Sequence, residues 1–164
     1  MDKYLAKIER GKYSYYYKDN NLLFIMKINY TILGFVTKCT FYDNEKNEIL
    51  SFKKNNFLIG MTLKLLHQSL PQPIFIERKN IDTYYLTVKG KKIYFKITYL
   101  SYLMKNFGEI FINGKEYGKV VRNKKTMMYA NFEFNFSEED SEINYYCMFL
   151  FAMHTIGYSN VRYN

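Results

Sequence analysis

Tyr145-Tyr146-Cys147-Met148-Phe149-Leu150-Phe151-Ala152-Met153 runs without a single charge, flanked by Ile143, His154 and Ile156. A helix resting on the outside of a sheet needs only one apolar stripe; one that is apolar all round has to be enclosed. At the helical rise, Ile143 to Ile156 spans about 20 Å, well short of the ~30 Å hydrocarbon core of a bilayer. The predicted enclosure is therefore the protein's own β-structure. Just upstream, Ser137-Glu138-Glu139-Asp140 has the spacing of a capping box, with Ser141 as a second possible start, and Gly157 stands where a C′ glycine ends a helix. The helix is expected over 138–156.

The preceding chain reads almost entirely as strand. The N-terminal 1–12 alternates charge with isolated apolar residues and reads as a lead-in. Strands are expected at Tyr13–Tyr17 and Leu22–Asn29, separated by Asp19-Asn20-Asn21. Phe35–Tyr42 and Glu48–Lys53 form a hairpin across Asp43-Asn44-Glu45-Lys46-Asn47, whose Asp and Asn side chains suit a turn. Phe57–Leu66 alternates poorly and fits either a strand or a short helix. Gln68–Gln72 is a loop, and Pro71 and Pro73 are the chain's two prolines. Ile74–Arg78, Thr83–Lys89 and Lys92–Tyr99 follow, the last two joined by a tight Gly90-Lys91 turn. Phe107–Ile112 and Glu116–Arg122 pair across Asn113-Gly114-Lys115, the strongest hairpin signal in the chain. Thr126–Phe136 is one long strand or a pair, with Phe132, Phe134 and Phe136 on one face. Thr40–Asp43 through Ile49–Lys54 weakly resembles Ile110–Asn113 through Gly118–Lys125: strand, polar turn, strand, basic pair.

These short strands and one all-round apolar helix have few packing solutions. An open sheet leaves half the helix wet, whereas a closed barrel swallows it and removes exposed edges. The expected fold is mainly β: one domain over 1–164, a closed antiparallel β-barrel of roughly ten to twelve strands around a buried hydrophobic C-terminal α-helix. The aromatic content, 20% as Tyr and Phe with no Trp, suits strands.

The layout resembles the tubby C-terminal-like superfamily, which includes tubby proteins, phospholipid scramblases and the LURP-one-related proteins, in its compact bacterial form. Phe41-Tyr42-Asp43-Asn44 to Ile49-Leu50-Ser51-Phe52-Lys53-Lys54 is similar to that family's recurrent hairpin, although the usual turn glycine is missing. Thr83–Gly90, Ile112–Val120 and the acidic lead into the apolar helix continue the rhythm. The resemblance covers about Tyr13 to Ile156. It implies a closed antiparallel barrel threaded by a hydrophobic helix and, from tubby domains, phosphoinositide head-group binding through basic residues. The cysteine-rich stretch and terminal span associated with scramblase activity are not matched.

Charge has a distribution that matters more than its total of +9. From Leu50 to Ala130 fifteen Lys or Arg face four acidic residues, while Glu133, Glu138, Glu139, Asp140 and Glu142 gather around the helix start. Negative charge there complements the helix dipole. The basic excess suits an anionic partner; lysines that keep a sheet-rich surface soluble and its edges unsticky are the plainer account. Candidate anion-binding residues are Lys53, Lys54, Arg78, Lys79, Lys89, Lys91, Lys92, Arg122, Lys124 and Lys125, all near expected turns or strand ends. If those ends share one rim, they form a cationic crown for a phosphate head group or an anionic membrane.

Catalytic chemistry finds little purchase. The two histidines, His67 and His154, are too few for most metal or acid–base constellations. His154 shares a helix face with Leu150 and reads as a locally hydrogen-bonded core residue. Cys39 and Cys147 have no motif spacing, and Cys147 reads as a small core residue. No Walker loop, dinucleotide fingerprint, nucleophile elbow or CxxC pair is present. The expectation is a non-enzymatic protein with no cofactor and no metal. No secretory signal is recognisable, and a reduced cytoplasmic setting, peripheral at the membrane if lipid is the ligand, fits best. Partners, in order, are an anionic phospholipid or membrane surface, then an acidic protein engaged by an immunity or regulatory module. RNA or single-strand binding on aromatics flanking Lys96 and Lys105 comes last, since a barrel interior already accounts for the aromatic alternation.

Overall fold

Every second side chain of Tyr4–Glu9 is buried, and the same period-two pattern recurs in Tyr84–Val88 and, with small breaks, around the sheet. That is the mark of strands with one wet face and one dry face. The computed structural model describes residues 2–9, 13–30, 36–57, 60–80, 83–98, 105–125 and 129–155. In chain order the elements are β1 (Tyr4–Glu9), β2 (Tyr13–Lys18), β3 (Asn21–Tyr30), β4 (Val36–Tyr42), β5 (Glu48–Phe57) and β6 (Gly60–Gln68). They continue as β7 (Phe75–Arg78), β8 (Tyr84–Val88), β9 (Lys91–Ile97), β10 (Asn106–Ile112), β11 (Lys115–Lys125), β12 (Tyr129–Phe136) and α1 (Ser141–Thr155).

All described pairings are antiparallel. Neighbours pair from β1 to β6 and from β7 to β12, and β1 joins β12 in register from Tyr4↔Phe134 to Glu9↔Tyr129. The result is a twelve-stranded, nearly closed barrel whose unpaired seam lies between β6 and β7. The loosely similar segments of the sequence are the hairpins β4–β5 and β10–β11, fourth and fifth strands of two successive six-strand runs.

Two-residue turns set several registers. Asp19-Asn20, Lys89-Gly90 and Asn113-Gly114 all have positive φ at both positions, the type I′ geometry that matches strand twist. The tight turn between β8 and β9 is thus Lys89-Gly90, one residue earlier than expected. Within Asp43–Asn47 the Asp43 carboxylate accepts from the N–H of Glu45 (3.0 Å) and of Asn47 (2.8 Å).

Three further expectations change. The lead-in 1–12 contains β1, which carries one side of the β1–β12 closure; its short alternation gave no hint of a partner more than a hundred residues away. Phe57–Leu66 divides between two strands: Phe57 ends β5, Leu58 and Ile59 lie outside the described residues, and Gly60–Leu66 belong to β6. There a register shift opposite Ser51/Phe52 leaves Leu66 as an extra residue, so no single alternation runs through the segment. The helix begins at Ser141 with Asp140 as its cap, the Asp140 carboxylate accepting from Ile143 N–H at 3.1 Å. Ser137 instead donates its hydroxyl to the Tyr117 carbonyl at 2.8 Å, holding the end of β12 to β11. Ile156, Gly157, Tyr99 and Thr126 lie outside the described residues.

Twelve of the fifteen α1 residues are buried, on all sides of the helix. Phe149 stacks on Phe24 of β3 (4.3 Å between ring centres) and meets Phe41 of β4 (4.9 Å). Phe151, two residues on and turned away from it, meets Phe95, Phe107, Phe132 and Phe134 of β9, β10 and β12 at 4.9–5.9 Å. One helix thus packs opposite walls. Its buried Asn144 is satisfied, accepting from Tyr117 Oη at 2.9 Å and donating to the Glu138 carbonyl at 3.3 Å.

Candidate functional site

Strands β4 and β5 turn one lysine each to the outside at the same level, and β6 adds a third. Lys38 pairs with Lys53 across β4–β5, and Lys53 with Lys64 across β5–β6. All three side chains are exposed. Neighbouring strands lie about 4.8 Å apart, so the row sets three like charges side by side on one wall, an arrangement that is destabilising for the sheet itself. None of the three has an ion-pair partner among the described residues. The adjacent row is Thr40, Ser51 and His67, of which Thr40 and Ser51 are buried and His67 is exposed, and the row on the other side includes Asn55 and Thr62. The single carboxylate on β4–β6 is Glu48, opposite Tyr42 and four residues up from Lys38, about 13 Å along the strand. This wall is the candidate anion-binding site.

Of the residues expected to bind anions, only Lys53 belongs to this row. Lys54 points inward and is 4% exposed, its charge acting on Cys39 and on His154 near the end of α1. It is removed from the candidate set: on a strand the residue after an outward one faces the core. Lys89 pairs with Glu142 (2.6 Å), Lys91 with Asp140 (3.3 Å) and Lys92 with Glu77 (3.2 Å). The first two serve the acidic start of α1. For Asp140 burial opposes ionisation, but the N–H of Ile143 and the Lys91 ammonium outweigh it and hold the carboxyl below its usual range.

Arg78 donates Nε–H to the Asn80 carbonyl at 3.1 Å, and Lys79 Nζ sits 3.4 Å from the Tyr94 ring centre. Arg122 is half-buried on β11; Lys124 and Lys125 pair with Asn131 and Ala130 through the backbone, and their side chains lie outside the described residues. The ten residues do not share a rim. Lys89, Lys91 and Lys92 flank a hairpin turn at the end where α1 starts, whereas Arg78, Lys79, Arg122, Lys124 and Lys125 run toward the opposite end. An antiparallel meander alternates its connections between two rims, so basic turns spread along the sequence cannot all gather at one.

Lys38 and Lys64 went unnoticed in the sequence because each stands alone in its strand. Only the inter-strand register brings them beside Lys53. The aromatics around Lys96 are committed elsewhere: Phe95 is buried, and Tyr94 has Lys79 near one ring and Phe111 stacked at 4.7 Å. Those flanking Lys105 on its N-terminal side lie outside the described residues.

His154 is a core histidine. Its Nε2 accepts from Tyr84 N–H at 3.3 Å and its Nδ1 lies 2.9 Å from the Leu150 carbonyl, which fixes a neutral ring protonated at Nδ1. Burial, opposed by the Leu150 bond, depresses its pKa to about 4. Burial pushes the Cys39 thiol up to about 12 and raises Cys147 as well. Among the described residues no group of three or more His, Cys, Asp or Glu is placed to hold a metal ion, and no helix is long and apolar enough to cross a membrane. No protein family, curated protein or solved structure matches the chain.

Proposed function

We propose that this protein is a non-enzymatic, tubby-like barrel that docks the outer wall of β4–β6 on an anionic phospholipid surface. The observation that supports this reading is the row Lys38–Lys53–Lys64. A protein with no use for the row gains nothing from setting three lysines in direct register without a counter-charge. An anionic leaflet supplies that counter-charge, at about 1 kcal/mol for each lysine near the surface. The lumen is filled by α1, so binding is an affair of the exterior. The reading moves the contact from the hairpin ends to the middle of a wall, because Lys89, Lys91 and Lys92 already have carboxylate partners.

Co-sedimentation with vesicles of phosphatidylcholine containing phosphatidylserine tests it. Binding should require the anionic lipid and fall with added salt. Reversing Lys38, Lys53 and Lys64 to Glu should weaken partitioning by roughly two orders of magnitude or more, from about 1 kcal/mol per lost lysine. Reversing Lys89, Lys91 and Lys92 should cost much less. Indifference of the wild type to anionic lipid sinks the reading.

A further inference from the structure

The seam between β6 and β7 breaks the internal order of the barrel. Six strands on from any strand lies its counterpart in the second half, and the counterpart of the β12–β1 junction is the junction of β6 with β7. The first is laddered over six residue pairs; among the described residues the second has no ladder. Side chains stand where rungs would be. At one end the Gln68 amide donates to the Ile74 carbonyl (3.2 Å) and accepts from Ile74 N–H (2.8 Å). Further along, Leu63 N–H turns away from β5 and donates to the hydroxyl of Tyr84, a residue of β8, at 3.2 Å. Leu65, by the two-residue period of an antiparallel edge, faces the same way.

Among the described residues, the two most exposed large apolar side chains lie on the strands of the seam. Phe75 on β7 is 67% exposed and Leu66 on β6 is 47% exposed. Half-buried Leu63, Leu65 and Ile76 line the same two strands and pack on the core. The charged groups on the edges are cationic: Lys64 on β6, Arg78 on β7 and Lys79 just beyond it. Their one carboxylate, Glu77, is held by Lys92 at 3.2 Å.

We infer that this seam receives a short extended peptide of a partner protein, alternately apolar and acidic, as an added strand beside β6 or β7. Backbone rungs supply the attraction, and the alternating side chains meet the apolar floor of Leu63, Leu65 and Ile76 on the inner side and Lys64 on the outer side. The bulge at Leu66 and the charge of Lys64 are devices that keep an edge from pairing indiscriminately. An acidic residue answers Lys64, so the same devices select the guest. β7 has four residues, which limits the docked segment to about that length. This inference is independent of the lipid reading.

The test is lipid-free and uses the full chain. A labelled seven-residue peptide of alternating Val and Glu is titrated by fluorescence anisotropy, beside a Val–Lys peptide and a Val–Glu peptide carrying a central proline. Only the first should bind saturably, slowing amide exchange at Leu65 or Ile76. Its affinity should drop at least tenfold in Lys64→Glu, and also in Leu65→Ser, which keeps the charges. Equal binding of the Val–Lys peptide, unchanged affinity in both variants, or no saturation overturns the inference. So does edge protection that grows with protein concentration alone, which would mean that a second copy occupies the seam.

Discussion

His154 couples the core to acid. An unfolded histidine takes its proton near the ordinary 6.5, and the folded one near 4. Its contribution to stability is therefore fully present above 6.5 and is lost as pH falls toward 4, because only the unfolded chain gains the proton in that window. Between pH 7 and pH 5 the loss attributable to this one ring is about 2 kcal/mol. Urea titrations at the two pH values measure it, and His154→Gln should flatten the difference; an equal slope in the variant rules the assignment out. The fate of Lys54 was partly legible without coordinates. Leu50, Phe52 and Lys54 follow one another at the strand period, so a core position for Phe52 commits Lys54 to the same side. Reading Lys53-Lys54 as one basic pair concealed that. Nothing in the sequence, by contrast, says that His154 finds its second hydrogen bond on Tyr84, seventy residues earlier.

Single elements were legible in proportion to how local their causes are. Asn113-Gly114 announces its hairpin because φ is 50° and 82° there, a pair of conformations that Asn and Gly tolerate best. The start of α1 was harder, since Ser137, Asp140 and Ser141 are all competent caps and tertiary pairing of Ser137 with Tyr117 decides between them. Strand-to-strand fit is less legible still. Gly108 lies on β10 where a Cβ would sit 2.4 Å from Phe95 Cζ and 2.7 Å from the Lys96 carbonyl. The ring has room to shift, but the carbonyl belongs to the β9–β10 ladder. Gly108→Ala should therefore destabilise the protein by about 1–3 kcal/mol, as overpacked cores do. Thermal unfolding compared with wild type checks this, and an unchanged midpoint would show that the two strands part without cost.

At the scale of the molecule, the barrel around an all-round apolar helix followed from Tyr145–Met153, because no other arrangement covers such a surface. Its strand order and its seam did not follow, since they are set by contacts between distant segments. The row Lys38–Lys53–Lys64 belongs to this class too, being a property of register rather than of any stretch of chain. The helix that fills the lumen should dominate stability. Phe151→Ala removes a ring shared by four aromatic neighbours and should cost about 3–5 kcal/mol, whereas Phe75→Ala on the seam should stay within about 0.5 kcal/mol. Denaturant midpoints of the two variants compare them directly; similar losses would mean that the rod is not the keystone of the barrel.

The order of elements along the chain has a consequence for biosynthesis. The ribosome delivers all twelve strands before α1, and the β1–β12 closure joins residues as far apart as Tyr4 and Phe134. A nascent chain emerging at roughly 5–20 residues per second therefore spends several seconds as a sheet whose greasy inner face has nothing to hold. Productive folding waits for the plug, and until it arrives those strands are natural clients for chaperones.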